Sequence, residues 1–300
     1  MGYSLPMAWI SWLTEPLAYP FMTRSLLAAV IVGTIAPVLG SYVILRGMAF
    51  LGDALAHIIL PGVVLAYLLG WPLAVGALAV GVLAAIGISA LSARSEIRED
   101  TAIGVVFAGS FALGIAMIST ARSYAVDLAH ILFGNILGVS SGDLWLIFGL
   151  GLLVLLTVAL FYKEFLVLAF DPNLAVVLRL PEPFLRYLLS VLIAVTIVTS
   201  LQAVGVALVL AMLVTPAAAA QLLTRRLPRM MLVAAGIGIF SNVCGLYISY
   251  YVNVASGPAM VLVATGIFSL VFLFAPGRGI LWQGRSVDTA TTHNHRISVK

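Results

Sequence analysis

Asp53 and His57 stand four residues apart in LGDALAHIILPG, within a stretch from Ala49 to Ala93 that is otherwise almost wholly apolar. Residues four apart on a helix lie one above the other on the same face. An ionisable side chain in lipid costs roughly 2.5–3.5 kcal/mol on insertion scales, so it is expected to face a partner, a cavity or a path. A carboxylate stacked with an imidazole suits a hard-to-borderline divalent cation, and manganese, iron(II) and zinc all accept such donors. Pro61 follows His57 by four and has no N–H for the His57 carbonyl, which adds a backbone oxygen to the same turn. Two side chains leave the shell incomplete, and a two-fold dimer facing itself would supply four. The competing reading is an Asp–His hydrogen bond that serves only helix packing.

The elements that must position this pair are membrane spans. The 300-residue chain is 63% hydrophobic and 9% charged, where a soluble domain is about 45–50% apolar and about 25% charged. A spanning helix needs about 20 mostly apolar residues. Ser25–Leu45 supplies span one and Ala49–Leu69 span two. Gly70-Trp71-Pro72 breaks the run, and span three ends at the charged cluster ARSEIRED, Ala93–Asp100. Thr101–Thr120 and Leu144–Tyr162 are spans four and five. Tyr187–Thr224 and Met230–Gly277 are free of charge and each long enough for two spans. The fold class is an all-α polytopic membrane protein with eight or nine transmembrane helices.

Nine alternating spans with the carboxyl end inside place thirteen of the fifteen basic residues on the cytoplasmic side, leaving only Arg24 and Arg122 outside. That is the asymmetry the positive-inside rule describes. The net charge of +4 is then topological, and no nucleic-acid motif accompanies it. Residues 1–20 read as an interfacial segment with Trp9 and Trp12 as aromatic anchors. Residues 21–281 form the membrane domain, and 282–300 a cytoplasmic tail. Under this topology Asp53 lies a turn or two from the inner face, unless the turn Arg46-Gly47-Met48 is itself sunk in protein. Small residues such as Gly33, Gly40 and Ala217–Ala220 favour close helix packing.

A second constellation is the cytoplasmic interval 163–186, centred on FDPNLAVVLRLPEP. Asp171 reads as an N-cap, Pro172 as the first helical position, and Pro181 and Pro183 as stops. The short helix between them carries Leu174, Val177 and Leu178 on one side. It rests on lipid headgroups or docks in a partner's groove. Asp127 and His130 on the outer side could ligate a metal near an entrance, although a lone histidine there is more often structural. His293 and His295 in THNHR could bind metal weakly, but the safer reading of this segment is an unordered tail. No H-E-x-x-H metalloprotease motif or G-x-x-x-x-G-K-[ST] phosphate loop is present. The single Cys244 excludes an internal disulfide and a thiolate cluster.

Six segments in order carry a family resemblance: Gly40–Gly62, Arg98–Gly114, His130–Leu137, Phe170–Pro181, Ser200–Ala220 and Phe272–Gly279. Together they resemble the membrane permeases of prokaryotic manganese/zinc/iron ABC importers, the ABC-3 permeases. The resemblance implies a type II ABC importer-like permease in the prokaryotic cytoplasmic (inner) membrane. It implies a homodimer joined to a cytoplasmic ATP-binding subunit and served by an extracytoplasmic metal-binding solute-binding protein. The permease itself is then not an enzyme and holds no permanent cofactor. ATP belongs to the partner, and the transported ion is manganese, then iron or zinc. Asp53 and His57 match the membrane-embedded pair that handles the metal. The segment Asp171, Pro172, Leu174, Ala175, Leu178, Arg179, Leu180 and Pro181 matches the helix that couples to the ATPase. Arg179 departs from that pattern, which usually has glycine before Leu-Pro. A stand-alone cation channel or secondary metal transporter is the alternative and predicts uptake without a partner ATPase; a non-transporting membrane scaffold is another and predicts no metal dependence.

Overall fold

The computed structural model describes residues 14–94, 97–120 and 136–275. All of their regular structure is helical. The helices are α1 (Pro20–Leu45), α2 (Ala49–Ile58), α3 (Leu60–Leu69), α4 (Leu73–Arg94), α5 (Glu99–Thr120), α6 (Ser141–Leu160), α7 (Tyr162–Phe170), α8 (Pro172–Val177), α9 (Glu182–Val204), α10 (Val206–Leu223), α11 (Leu227–Val252) and α12 (Ser256–Phe274). Short 3-10 turns lie at Pro16–Ala18 and Ile136–Gly138. Eight segments among the described residues are long and apolar enough to cross a membrane, with α2 and α3 counted as the single span Ala49–Leu69. A further apolar helix, α10, is shorter: its 18 residues extend about 27 Å.

The breaks between helices have local causes. Between α2 and α3 only Ile59 leaves the helix, because Pro61 cannot donate to His57 and the ladder skips a rung. The Ile59 N–H reaches the carbonyls of Leu55 and His57. Gly70 ends α3 in the left-handed conformation with φ 68°, and Pro72 follows it, a common helix stop. A single residue, Gly205 at φ 86°, separates α9 from α10. The charge-free run Tyr187–Thr224 therefore holds two helices, of which only α9 is among the eight segments long and apolar enough to cross a membrane. Ser140 and Asp143 form a reciprocal capping box at the start of α6.

Spans α1, α2–α3 and α9 are the most enclosed, and α5, α6 and α12 the most peripheral. Helix α1 packs against α11, α10, α6 and α9; α3 lies along α4, α4 along α9, and α2 against α5 and α10. Two close crossings rest on facing glycines. A Cβ on Gly62 would overlap the Gly76 carbonyl and one on Gly76 the Gly62 carbonyl; Gly33 and Gly238 stand in the same relation. At Gly40 a Cβ would overlap the Leu213 carbonyl of α10. In lipid, where apolar burial between helices gains little, such backbone contact is a main source of association. Ser89 and Ser190 add a buried hydroxyl pair at 2.9 Å between α4 and α9.

One expectation needs correcting. Residues 163–170 read as part of a polar interval, but they form α7, with Phe165, Leu168 and Ala169 buried. Phe165 packs edge-on against Tyr42 of α1 at a centroid distance of 5.8 Å. The two charges Lys163 and Glu164 sit at one end of an otherwise apolar helix, and the tertiary contact buries the rest. Trp9, Trp12, Asp127, His130, His293 and His295 lie outside the described residues.

Candidate metal-handling site and docking helix

The face of α2 that carries Phe50, Asp53 and His57 is set by its opposite side. Leu51, Gly52, Leu55 and Ile58 are buried, and Gly52 receives Leu210 and Leu213 of α10 at 3.0–3.1 Å from where its Cβ would be. That anchoring turns Asp53 and His57 away from α10 and toward α5. His57 Nε2 lies 3.8 Å from Asp53 Oδ1, with the side chains 30% and 42% exposed, respectively. The pair shares one face, as the spacing requires, but at this distance it makes no direct hydrogen bond. Two metal–ligand bonds of about 2.1 Å span such a gap with an obtuse angle between them. Among the described residues no group of three or more His, Cys, Asp or Glu could enclose a metal, so one chain offers a partial shell.

The surroundings of His57 come from α5. Phe107 and Phe111, four apart on that helix, approach its ring at centroid distances of 5.9 and 5.7 Å. Phe50 meets Phe107 at 6.3 Å. The sequence alone singles out neither phenylalanine, because two aromatics in an apolar span look like lipid-facing bulk. Their spacing of four, placed beside a histidine on another helix, is the signal that only a structure exposes.

The turn ahead of α2 buries its two flanking side chains and leaves Gly47 exposed. The Arg46 side chain is 7% exposed and bonds Glu99 Oε2 through Nη2 at 3.2 Å, while Met48 is buried. Burial draws the Arg46 guanidinium below its ordinary pKa; Glu99 and Glu182 act in the opposite sense, and Arg186 adds to the lowering. Arg186 is itself paired with Glu182. These charges gather the end of α1 and the starts of α5 and α9. His57 on α2 and Phe107 on α5 each lie eight residues, about 12 Å, from the start of their helix, and the rings of Phe107 and Phe111 both reach the imidazole.

The candidate docking segment has the caps its sequence calls for. Asp171 Oδ1 accepts the Asn173 N–H at 2.9 Å and Pro172 opens α8. Ala175 is fully buried, whereas Leu174, Val176, Val177 and Leu178 are exposed, Val177 by 75%. The helix ends in a Schellman arrangement: the Leu180 N–H bonds Ala175 O and the Arg179 N–H bonds Val176 O, each at 3.0 Å. This puts Arg179 at φ 55°, the left-handed position where glycine is preferred. Arg179 is thus a strained residue in an otherwise regular cap, at the position where the sequence pattern leads one to expect glycine.

Fold and site together define a multi-pass membrane protein with a half-exposed acid–imidazole pair on one of its spans. The chain belongs to the ABC 3 transport family, whose pattern matches residues 18–275. It is 50% identical over 264 residues to the manganese transport system membrane protein MntC of Listeria monocytogenes, covering 88% of this chain and 94% of that one. To the chelated iron transport system membrane protein YfeD of Yersinia pestis it is 41% identical over 264 residues, covering 88% and 89%. Among solved structures it is similar to one described as PsaBC from Streptococcus pneumoniae in complex with Fab: TM-score 0.80, 40% identity, 90% of this chain and 97% of that chain. A putative metal-chelate type ABC transporter in an inward-facing conformation, at 15% identity and TM-score 0.68, shares the fold over 86% and 88% of the two chains.

Proposed function

We propose that this permease moves a divalent transition metal ion into the cell as the membrane subunit of an ATP-driven importer, with manganese the first candidate and iron or zinc next. The observation that carries the reading is the Asp53–His57 pair. It is half-exposed, 3.8 Å apart, and held on a membrane helix where an unpartnered charge would be costly. The relatives named for manganese and iron transport support the ion class.

In this reading two copies of the chain face each other and bring two Asp53–His57 pairs together, completing a shell that one copy leaves open. The carboxylate and the imidazole nitrogen replace water on the ion as it passes or stops. The exposed apolar side of α8, with Leu174, Val177 and Leu178, seats in a groove of a cytoplasmic ATPase. A metal-binding protein delivers the ion outside. ATP-driven closure of the ATPase pair shifts α8, and α9 begins five residues after α8 ends. Motion at α8 therefore reaches the Glu182–Arg186–Arg46 charges and the start of α2, and the bundle alternates its access.

The test is manganese uptake into proteoliposomes holding the full complex, with Asp53→Ala and His57→Ala against wild type. Loss of uptake with assembly retained supports the assignment, and unimpaired uptake by both variants removes it. Uptake by this chain with no ATPase present would instead favour a stand-alone channel or secondary transporter.

A further inference from the structure

We propose that Phe107 and Phe111 of α5 are positioning residues that clamp the His57 imidazole at the angle the passing divalent cation requires. The inference rests on the reading of Asp53 and His57 as the metal-handling pair. Asp53 Oδ1 is 3.8 Å from His57 Nε2, beyond hydrogen-bond distance, so the carboxylate leaves the imidazole free to turn about its broad terminal torsion.

The aromatic contacts supply the missing restraint. Phe107 and Phe111 meet the imidazole at 5.9 and 5.7 Å with interplanar angles of 65° and 78°, within the range of edge-to-face pairs. The two phenylalanines stack on each other at 5.7 Å and 15°, so they form one surface rather than two independent rings. Phe50 abuts Phe107 edge-on at 6.3 Å. The clamp is seated from below and above. Glu99 in the first turn of α5 is bound to Arg46. One turn past Phe111, Gly114 receives Leu60, whose side-chain atoms would lie 2.9–3.1 Å from a Cβ there. Helix α5 is the least enclosed of the spans, so tight core packing does not by itself account for this cluster.

The wall is also apolar, which bears on the cation. Phenylalanine rings offer no oxygen to replace the water an ion sheds, so the exchange falls to Asp53 and His57, and a misplaced imidazole leaves the ion short of a donor. Magnesium, which dehydrates reluctantly, is disfavoured at such a wall.

The experiment uses proteoliposomes holding the permease, its ATPase and saturating manganese-loaded binding protein, and measures manganese moved per ATP hydrolysed. The variants are Phe107→Leu, Phe111→Leu and, as ring-preserving controls, Phe107→Tyr and Phe111→Tyr; Phe111→Met is the second choice should a leucine variant not assemble. The leucine variants are expected to keep ATP hydrolysis within about twofold while metal per ATP falls about fivefold, with the tyrosine variants near wild type. A proportional loss of hydrolysis and transport in leucine and tyrosine variants alike would mean a merely structural role and overturn the proposal. So would wild-type metal per ATP in the leucine variants while His57→Gln is defective. Unimpaired transport in His57→Gln and Asp53→Asn would instead overturn the underlying assignment of the pair.

Discussion

Arg46 and Glu99 join the turn ahead of α2 to the first turn of α5 through a 3.2 Å ion pair in which the guanidinium is 7% exposed. They lie 53 residues apart in the chain, and they tie together the two helices on which His57 meets Phe107 and Phe111. Arg46 Nη1 has no hydrogen-bond partner among the described residues, so Glu99 carries most of the compensation for a buried charge. Replacing Glu99 by Gln should therefore destabilise the detergent-solubilised permease by about 2–4 kcal/mol, the lower end reflecting the partial exposure of Glu99. Replacing both partners, Arg46→Met with Glu99→Leu, should restore much of that loss, because no unpaired charge remains. Thermal unfolding of the two variants beside wild type checks the sign, and a double variant less stable than Glu99→Gln would reject it.

Glycines in contact and glycines in the open should separate cleanly. Gly40→Ala must push the Leu213 backbone, and Gly62→Ala or Gly76→Ala must part α3 from α4. Each should cost about 1–3 kcal/mol, as overpacking does. At Gly87 and Gly104 a Cβ would meet nothing within 4 Å among the described residues, so alanine there should be neutral or stabilising by up to about 1 kcal/mol through helix propensity. Equal melting temperatures for the two groups would refute the packing account.

Arg179 offers a stabilising change. Its left-handed backbone at φ 55° costs a non-glycine residue about 1 kcal/mol, while the cap bonds at Ala175 and Val176 do not involve its side chain. Arg179→Gly should raise thermal stability by roughly that amount, and Arg179→Ala should not. If both variants melt alike, the strain is elsewhere.

The exposed side of α8 should govern assembly without governing the fold. Val177 is 75% exposed while Ala175 is buried. Val177→Asp should leave the permease folded but cut its co-purification with the ATPase at least about tenfold, the effect of losing a docking anchor of about 1.4 kcal/mol or more. Ala175→Asp should instead damage the permease itself. Pull-down and melting measurements on the same samples distinguish the two.

Much of the fold was legible from hydropathy alone. The spans from Pro20 to Phe274, the stop at Gly70-Trp71-Pro72 and the N-cap at Asp171 all follow from interactions within a turn or two of the residue concerned, whereas hydropathy makes Ala49–Leu69 one continuous span and does not show the interruption at Ile59. Helix α7 was not legible: Lys163 and Glu164 give its start a polar look, and its burial comes from tertiary packing on α9 and α1, Tyr42 against Phe165 included. The aromatic wall beside His57 was equally hidden, since Phe107 and Phe111 belong to a helix whose hydropathy says only that it sits in lipid.

By itself, then, the sequence determined that the chain crosses a membrane repeatedly and that Asp53 and His57 share a helical face, because both follow from backbone periodicity and transfer energies acting along one segment. Tertiary structure decided which helix stands opposite that face. Such a choice depends on how surfaces from distant segments fit, as the facing notches of Gly62 and Gly76 or the joining of Arg46 to Glu99 show, and no property of either segment alone contains it.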